Sequence, residues 1–248
     1  KLQLVAWGQD AYYHVPNKKI IFDDGSYLSY GYAGCNLPWA NDKPHVVYGY
    51  CVVDTDSTLI IPAGTKVHFA PNAVLWIYDG GTLNVQGNIL NKVVFQGSRL
   101  DSYYRNLPGQ WGKIWLSAGS KDNSINYAVI RNGGIGIQVD TVVNNNPTLT
   151  IENTIIENMS VAGIFAQGAK IKAKNIVVAN CGQYALVLSI GGDYEFLHST
   201  FANYWKYSYR NTPSIVLNNY YKDYNQIIHT RPLTNAYFGN CILYGSNE

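Results

Sequence analysis

Short apolar runs that end in asparagine recur along the second half of the chain. Four such runs occupy residues 127–132, 153–158, 175–180 and 198–203, so that their closing asparagines are 22 to 26 residues apart. A small-residue turn and a second apolar run follow the first three. This period, with Gly/Asn turns and no amphipathic helix pattern, predicts a solenoid of coils. Because the LxxLxL-Asn pattern of leucine-rich repeats is absent, we predict a parallel β-helix.

The alignment of the closing asparagines can be tested on the residues that precede them. The residues two positions earlier are all apolar, as an inward column requires: Ile130, Ile156, Val178 and Phe201. Successive coils lie about 4.8 Å apart, so the same register predicts oppositely charged neighbours, Arg131 beside Glu157 and Glu152 beside Lys174. Asparagine also tolerates a left-handed backbone. We therefore expect the asparagines to stack at one corner and to hydrogen-bond along the axis.

The remaining segments divide into earlier coils, a lead-in and two long loops. Residues 54–97 contain five further strand-like pieces and predict coils with a different phase. Residues 12–51 are aromatic and glycine-rich, which predicts a cap or linker. We place the lead-in at residues 1–51 and the β-helix at residues 52–248. Loop 1 (98–110) and loop 2 (204–231) interrupt the coils.

Composition and charge narrow the class of partner. The chain has 248 residues, of which 14% are charged, and its net charge is +2. No basic stripe is present, so nucleic-acid binding is not expected. No apolar run is long enough to span a bilayer. The five histidines lack metal-ligand spacing, and no metal or cofactor is predicted.

The four cysteines do not form a disulfide framework. Cys35 and Cys51 lie in a loop-rich region and could pair. Cys181 and Cys241 each follow an asparagine of the repeat, so we expect them at the same corner, at least two coils apart. That separation, roughly 10 Å, exceeds the reach of a disulfide, and both are predicted to be unpaired.

Four segments resemble the right-handed parallel β-helix surface lipoproteins of Bacteroidota: VAWGQDAYYH (5–14), LIIPAGTKVHF (59–69), GGTLNVQG (80–87) and PGQWGKIW (108–115). The likeness covers most of residues 1–140. It implies an all-β, right-handed parallel β-helix with an irregular N-terminal lead-in, on the extracellular face of the outer membrane. It also implies a lipid anchor and an immunoglobulin-like domain upstream, and further coils downstream, so we expect an incomplete segment of a longer protein.

Exposed aromatic residues on the two loops are the predicted ligand-binding groups. Loops projecting from a rigid scaffold commonly carry function, and tyrosine and tryptophan can stack on sugars or anchor protein interfaces. The alternative for each loop is packing against the coils, and Trp111 and Trp115 are expected to fill the coil interior. The candidate binding residues are Tyr103, Tyr104, Arg105, Trp205, Tyr207 and Tyr209.

The chain therefore predicts a non-catalytic cell-surface scaffold that binds a glycan or a neighbouring outer-membrane protein. One alternative is a polysaccharide lyase or glycoside hydrolase. Asp54 and Asp56 would lie on one face of a strand, although Asp54–Thr58 also fits a polar turn. Because hydrolases need two suitably spaced carboxyl groups and none stands out, we assign no catalytic residue. A purely structural subunit of an outer-membrane complex is the other alternative.

Overall fold

The computed structural model describes residues 10–16, 19–21, 27–29, 38–141 and 146–245, and in these ranges the protein is all-β. The strands, in chain order, are β1 (Tyr12–His14), β2 (Lys19–Ile21), β3 (Tyr27–Ser29), β4 (His45–Val47), β5 (Tyr50–Val53), β6 (Thr58–Pro62), β7 (Lys66–Phe69), β8 (Val74–Ile77), β9 (Thr82–Gln86), β10 (Val93–Gly97), β11 (Lys113–Leu116), β12 (Asn123–Asn126), β13 (Ala128–Arg131), β14 (Ile135–Val139), β15 (Leu149–Glu152), β16 (Ile155–Glu157), β17 (Ala162–Gln167), β18 (Lys170–Lys174), β19 (Val177–Ala179), β20 (Tyr184–Ser189), β21 (Gly192–Leu197), β22 (Thr200–Asn203), β23 (Ile215–Leu217), β24 (Tyr220–Lys222), β25 (Ile228–Thr230), β26 (Leu233–Gly239) and β27 (Ile242–Gly245).

Three parallel sheets run along the molecule. Sheet 1 has nine strands in the order β1-β4-β7-β10-β13-β16-β19-β22-β27, sheet 2 runs from β5 to β23, and sheet 3 runs from β6 to β26. The chain visits sheets 3, 1 and 2 in turn and then returns one level higher, as in β15, β16, β17 and β18. Every third strand therefore pairs with its equivalent in the next coil. The predicted parallel β-helix is confirmed.

The interior is built from the column that the sequence predicted. Ile130 pairs in register with Ile156, Ile156 with Val178, and Val178 with Phe201. All four side chains are fully buried. The segment 54–97 forms β6 to β10, which extend the same three sheets. Alternation of inward apolar and outward side chains thus sets the register along the described coils.

Left-handed residues turn the chain at two corners, where one was predicted. Asn153 and Asn175 lie at the first corner, between sheets 3 and 1, with φ of 51° and 54°. Asn132, Asn158 and Asn180 lie at the second corner, between sheets 1 and 2. The six-residue repeat is therefore one short strand of sheet 1 with the corner residue on each side.

The axial hydrogen bond predicted for the closing asparagines is present at the second corner between Asn158 and Asn132, at 2.7 Å, and a further ladder runs beside the first corner. The Nδ2 of Asn175 donates to Oδ1 of Asn153 at 2.8 Å, and the Nδ2 of Asn153 donates to Oδ1 of Asn126 at 2.9 Å. Asn153 and Asn175 therefore each donate a side-chain hydrogen bond to the preceding coil, while their left-handed backbones form the turn.

The two corners correct the predicted placement of the cysteines. Asn240 precedes sheet 1 whereas Asn180 follows it, so Cys241 and Cys181 do not share a corner. Both thiols are free, as predicted. Burial raises the pKa of Cys181 to about 12, which keeps its thiol protonated. Cys51 is disulfide-bonded, and Cys35 lies outside the described residues.

The charged columns have the predicted register but not the predicted contacts. Arg131 pairs in register with Glu157, yet its Nε and Nη2 donate to Oε1 of Gln96 at 3.0 and 2.6 Å. Glu152 lies beside Lys174 in register. Neither predicted pair approaches within ion-pair distance in the described part of the chain.

The parallel sheets begin earlier than the predicted boundary at residue 52. Strands β1 and β4 pair in sheet 1, and the boundary falls inside β5. Stacked rings hold this end together: Trp39 lies 4.1 Å from His45 and 4.6 Å from His14, centroid to centroid. Aromatic and histidine side chains therefore form coil structure within the segment that we predicted as a lead-in.

Asn153 tests the contribution of the corner. Alanine at this position must adopt a left-handed backbone, which costs about 1–2 kcal/mol, and it loses both amide bonds, each worth about 0.5–1.5 kcal/mol. We expect Asn153→Ala to lower the free energy of unfolding by about 2–5 kcal/mol in urea titration. Asn153→Gly keeps the backbone conformation and should cost less. Equal losses in the two variants would contradict this account.

His68 lies on the outer face of sheet 1, in the part of that face that is shielded from solvent, and it provides a pH test of that burial. Burial lowers the pKa of His68 to about 4, whereas the unfolded side chain titrates near 6.5. Between these values the unfolded chain binds more protons, so stability falls as the pH falls, by up to about 1.4 kcal/mol per unit. We expect His68→Gln to flatten the pH dependence of urea unfolding. The exposed His198, changed to Asn, is the control and should leave the slope unchanged.

Candidate functional site

The two predicted loops meet on one side of the solenoid. The Oη of Tyr207 in loop 2 donates to the backbone carbonyl of Asn106 in loop 1 at 2.8 Å, although 101 residues separate them. Loop 1 follows β10 and loop 2 follows β22, so they approach the second corner from opposite directions along the axis. The two loops therefore form a bridge on the outside of the second corner, across the coils that lie between them.

A pocket of about 490 Å³ lies beneath this bridge. It combines corner asparagines, two charged residues of sheet 1 and side chains of both loops. The lining residues are Asn106, Arg131, Asn132, Glu157, Asn158, Asn180, Tyr204, Trp205, Lys206 and Tyr207.

Corner asparagines fasten loop 1 to the floor of the pocket. The Nδ2 of Asn158 donates to Oδ1 of Asn132 at 2.7 Å and also to the carbonyl of Asn106 at 2.6 Å. The Nδ2 of Asn132 donates to the carbonyl of Arg105 at 2.6 Å. The positions of the loop carbonyls are thus fixed by the coils.

The amide ladder stops inside the pocket. Asn180 makes no hydrogen bond to Asn158 among the described residues; its Oδ1 instead accepts from the backbone N–H of Tyr204 at 3.2 Å. Beside the first corner, in contrast, the ladder runs without a break from Asn126, the last residue of β12, through Asn153 to Asn175. The Oδ1 of Asn158 and the Nδ2 of Asn180 are consequently left as an acceptor and a donor at the pocket.

Aromatic rings form the wall that loop 2 contributes. The rings of Trp205 and Tyr207 lie 5.1 Å apart and are tilted by 58°, and the Nε1 of Trp205 donates to Oγ of Ser208. Partial burial and the neighbouring Tyr244 raise the pKa of Tyr204 above its ordinary value. Its phenol therefore stays protonated at neutral pH and can donate a hydrogen bond.

The charges of the pocket are mixed. Arg131 uses part of its guanidinium on Gln96, and Lys206 is exposed on loop 2. Glu157 supplies the single carboxylate among the described lining residues, and it makes no hydrogen bond or ion pair in the described structure. A pair of carboxyl groups facing one bond, as glycoside hydrolases need, is not assembled by these lining residues.

The predicted loop residues have different roles in the structure. Trp205 and Tyr207 line the pocket, whereas Arg105 contributes through its backbone carbonyl. Tyr103 and Tyr209 are 70% and 78% exposed and do not line it. The ring of Tyr104 lies 3.1 Å below the guanidinium of Arg99 and borders a smaller cavity of about 260 Å³ under loop 1.

Sequence reasoning missed the floor of the pocket. Arg131 and Glu157 were interpreted as a structural charge pair, and Asn158 and Asn180 as turn residues. Their position in the sequence repeat was a signal that could have identified them. Arg131 and Glu157 occupy outward positions of sheet 1, Asn158 and Asn180 lie at the second corner, and all four belong to the coils between the two loops.

Two other expectations are resolved at the coil surface. Trp111 fills the interior as predicted, but Trp115 points outward from sheet 2, stacks on Trp76 at 4.9 Å and donates its Nε1 to Asp140 at 2.6 Å. Asp56 has a left-handed backbone and forms an exposed ion pair with Lys121 at 3.2 Å. The segment around Asp56 is a turn rather than a catalytic strand face.

A scan against protein-family models and searches of curated proteins and of solved structures found no match to the chain. The resemblance to the Bacteroidota surface family therefore stays a prediction. Among the described residues, no helix has the length and apolar character needed to cross a membrane. The same residues contain no group of three or more His, Cys, Asp or Glu side chains placed to hold a metal ion.

The contact between the loops can be tested by removing one hydroxyl. We expect Tyr207→Phe to lose the bond to Asn106 and to increase amide hydrogen exchange in loops 1 and 2, while the melting temperature changes little. Tyr209→Phe, which alters an exposed tyrosine outside the pocket, should leave exchange unchanged. Unaltered protection of both loops in Tyr207→Phe would show that the bond does not hold them together.

Proposed function

We propose that the protein is a non-catalytic scaffold that binds a glycan in the pocket at the second corner. The observation that carries this proposal is the interrupted amide ladder, which leaves Asn158 and Asn180 facing a space walled by Trp205 and Tyr207. Amide donors and acceptors beside aromatic rings match sugars, which offer hydroxyl groups at their edges and apolar C–H faces.

The chemistry of each group fits a hydroxyl-rich ligand. A sugar hydroxyl can donate to Oδ1 of Asn158 or to the carboxylate of Glu157, and it can accept from Nδ2 of Asn180 or from Lys206. The ring of Trp205 can cover the C–H face of the same sugar. The pocket volume of about 490 Å³ lies in the range of small-molecule sites.

The enzyme alternative receives less support from these residues. A hydrolase needs two carboxyl groups, whereas Glu157 is the lone carboxylate among the described lining residues. A lyase needs a base held beside the sugar; Arg131 stays protonated in proteins, and Lys206 is an exposed side chain on loop 2 that makes no hydrogen bond or ion pair among the described residues. Incubation of the protein with the polysaccharides that it binds should therefore yield no new reducing ends and no unsaturated products.

Contact with a neighbouring protein is a second candidate, favoured by the hairpin of β24 and β25. This antiparallel hairpin carries Tyr224, which is 92% exposed, and the exposed apolar pair Ile227 and Ile228. A location on the extracellular face of the outer membrane, either as a glycan binder or as a structural subunit, remains part of the proposal and rests on the family resemblance. Affinity purification from native membranes tests it, because a subunit should bring stoichiometric partners.

Glycan binding is tested by array screening followed by calorimetry with Trp205 and Glu157 variants. We expect Trp205→Ala and Glu157→Gln each to weaken binding about five- to 150-fold, since a stacked ring or a charge-assisted hydrogen bond is worth about 1–3 kcal/mol. Tyr209→Ala is the matched control and should bind like the wild type. Failure of the wild-type protein to bind any polysaccharide on a broad array would refute the proposal.

A further inference from the structure

The outer face of sheet 1 changes from covered to open along the axis. One column of outward side chains, taken from the N-terminal coils onward, runs through equivalent positions of successive strands. Its members are Tyr13, Val46, His68, Gln96, Arg131, Glu157, Ala179, Ala202 and Tyr244. The first four are 0–9% exposed, the next four are partly exposed, and Tyr244 is 63% exposed. The pocket lies where this change occurs.

The N-terminal side of the pocket is closed by polar contacts. Arg131 directs its Nε and Nη2 to Oε1 of Gln96, at 3.0 and 2.6 Å. Above it, the carbonyls of Arg105 and Asn106 in loop 1 accept from Asn132 and Asn158. An extended chain that entered the pocket would meet these groups and could not continue toward His68.

On the C-terminal side of the pocket, the outer face of sheet 1 carries small side chains and forms a low floor. Beyond Glu157 the column continues with Ala179 and Ala202, whose small side chains leave a low floor as far as Tyr244, a solvent-exposed ring over which a departing chain can pass. Three coil steps of about 4.8 Å separate Arg131 from Ala202, so the open floor is about 14 Å long. This length accommodates a short oligosaccharide and exceeds a single sugar ring.

We propose that the site recognises the terminus of a linear glycan and not an internal segment. The inference rests on the proposed function. The terminal sugar lies against Arg131, Glu157 and Trp205, and the rest of the chain leaves over Ala179 and Ala202. A polymer can satisfy this geometry only at an end, because the path past Arg131 is closed.

Binding stoichiometry distinguishes end recognition from internal recognition. The probe is a partial hydrolysate of the linear polysaccharide that binds most tightly on the array, fractionated into two pools whose mean chain lengths differ tenfold. Calorimetry then gives the number of protein molecules bound per gram of each pool. End recognition predicts a tenfold lower value for the longer pool, whereas equal values per gram would overturn the proposal.

A variant pair tests the direction in which the chain leaves. Ala179→Trp places a large ring on the open floor and should weaken binding of the short pool at least tenfold. Thr150→Trp makes an equivalent change on the outer face of sheet 3 and should bind like the wild type. Unchanged binding by a folded Ala179→Trp protein would show that the glycan does not run over this floor.

The possible failures are separable. Absence of binding to every array polysaccharide refutes glycan binding itself. Binding that is lost in Trp205→Ala, but with equal stoichiometry per gram in the two pools, retains the glycan site and overturns end recognition. Should Ala179→Trp melt well below the wild type, Ala202→Trp supplies the same obstruction one coil further along.

Discussion

The coils of this protein are held in register because strands of successive coils hydrogen-bond about 4.8 Å apart. A shift of one residue would move the apolar side chains of a strand from the interior to the surface, so each corner must deliver the chain to the next strand in the same register. Asparagine meets this requirement at Asn132, Asn153, Asn158, Asn175 and Asn180, where φ is positive. The interior column, the amide ladders and the position of the pocket all depend on this repetition.

The same asparagine side chain either bonds to the neighbouring coil or lines the pocket, according to whether a loop covers it. At the first corner, Asn153 and Asn175 bond to the preceding coil. At the second corner, loop 1 takes one N–H of Asn158, and loop 2 binds the oxygen of Asn180 through the backbone of Tyr204. Asn158 still donates to Asn132, but the bond from Tyr204 holds Asn180 away from Asn158. The pocket thus obtains a free donor and a free acceptor without any new residue type.

The repeat pattern was sufficient to predict the fold because each coil makes the same kind of contact, strand against equivalent strand, with the coil before it and the coil after it. The burial of Ile130, Ile156 and Val178 follows from alternation and from one correct alignment. The same alignment could not distinguish two corners that both use asparagine. It also could not show that Arg131 turns to Gln96 rather than to Glu157, since both neighbours lie one coil away on the same face.

The pocket was beyond sequence reasoning because it depends on how many coils lie between the two loops. Asn132, Asn158 and Asn180 supply three levels of the second corner, and this height lets Tyr207 reach the carbonyl of Asn106 at 2.8 Å. One coil more or fewer would displace loop 2 by about 4.8 Å, which is enough to break that contact. The dimensions of the pocket are therefore set in whole coils, so the gain or loss of a coil would change its height while the strands keep their packing.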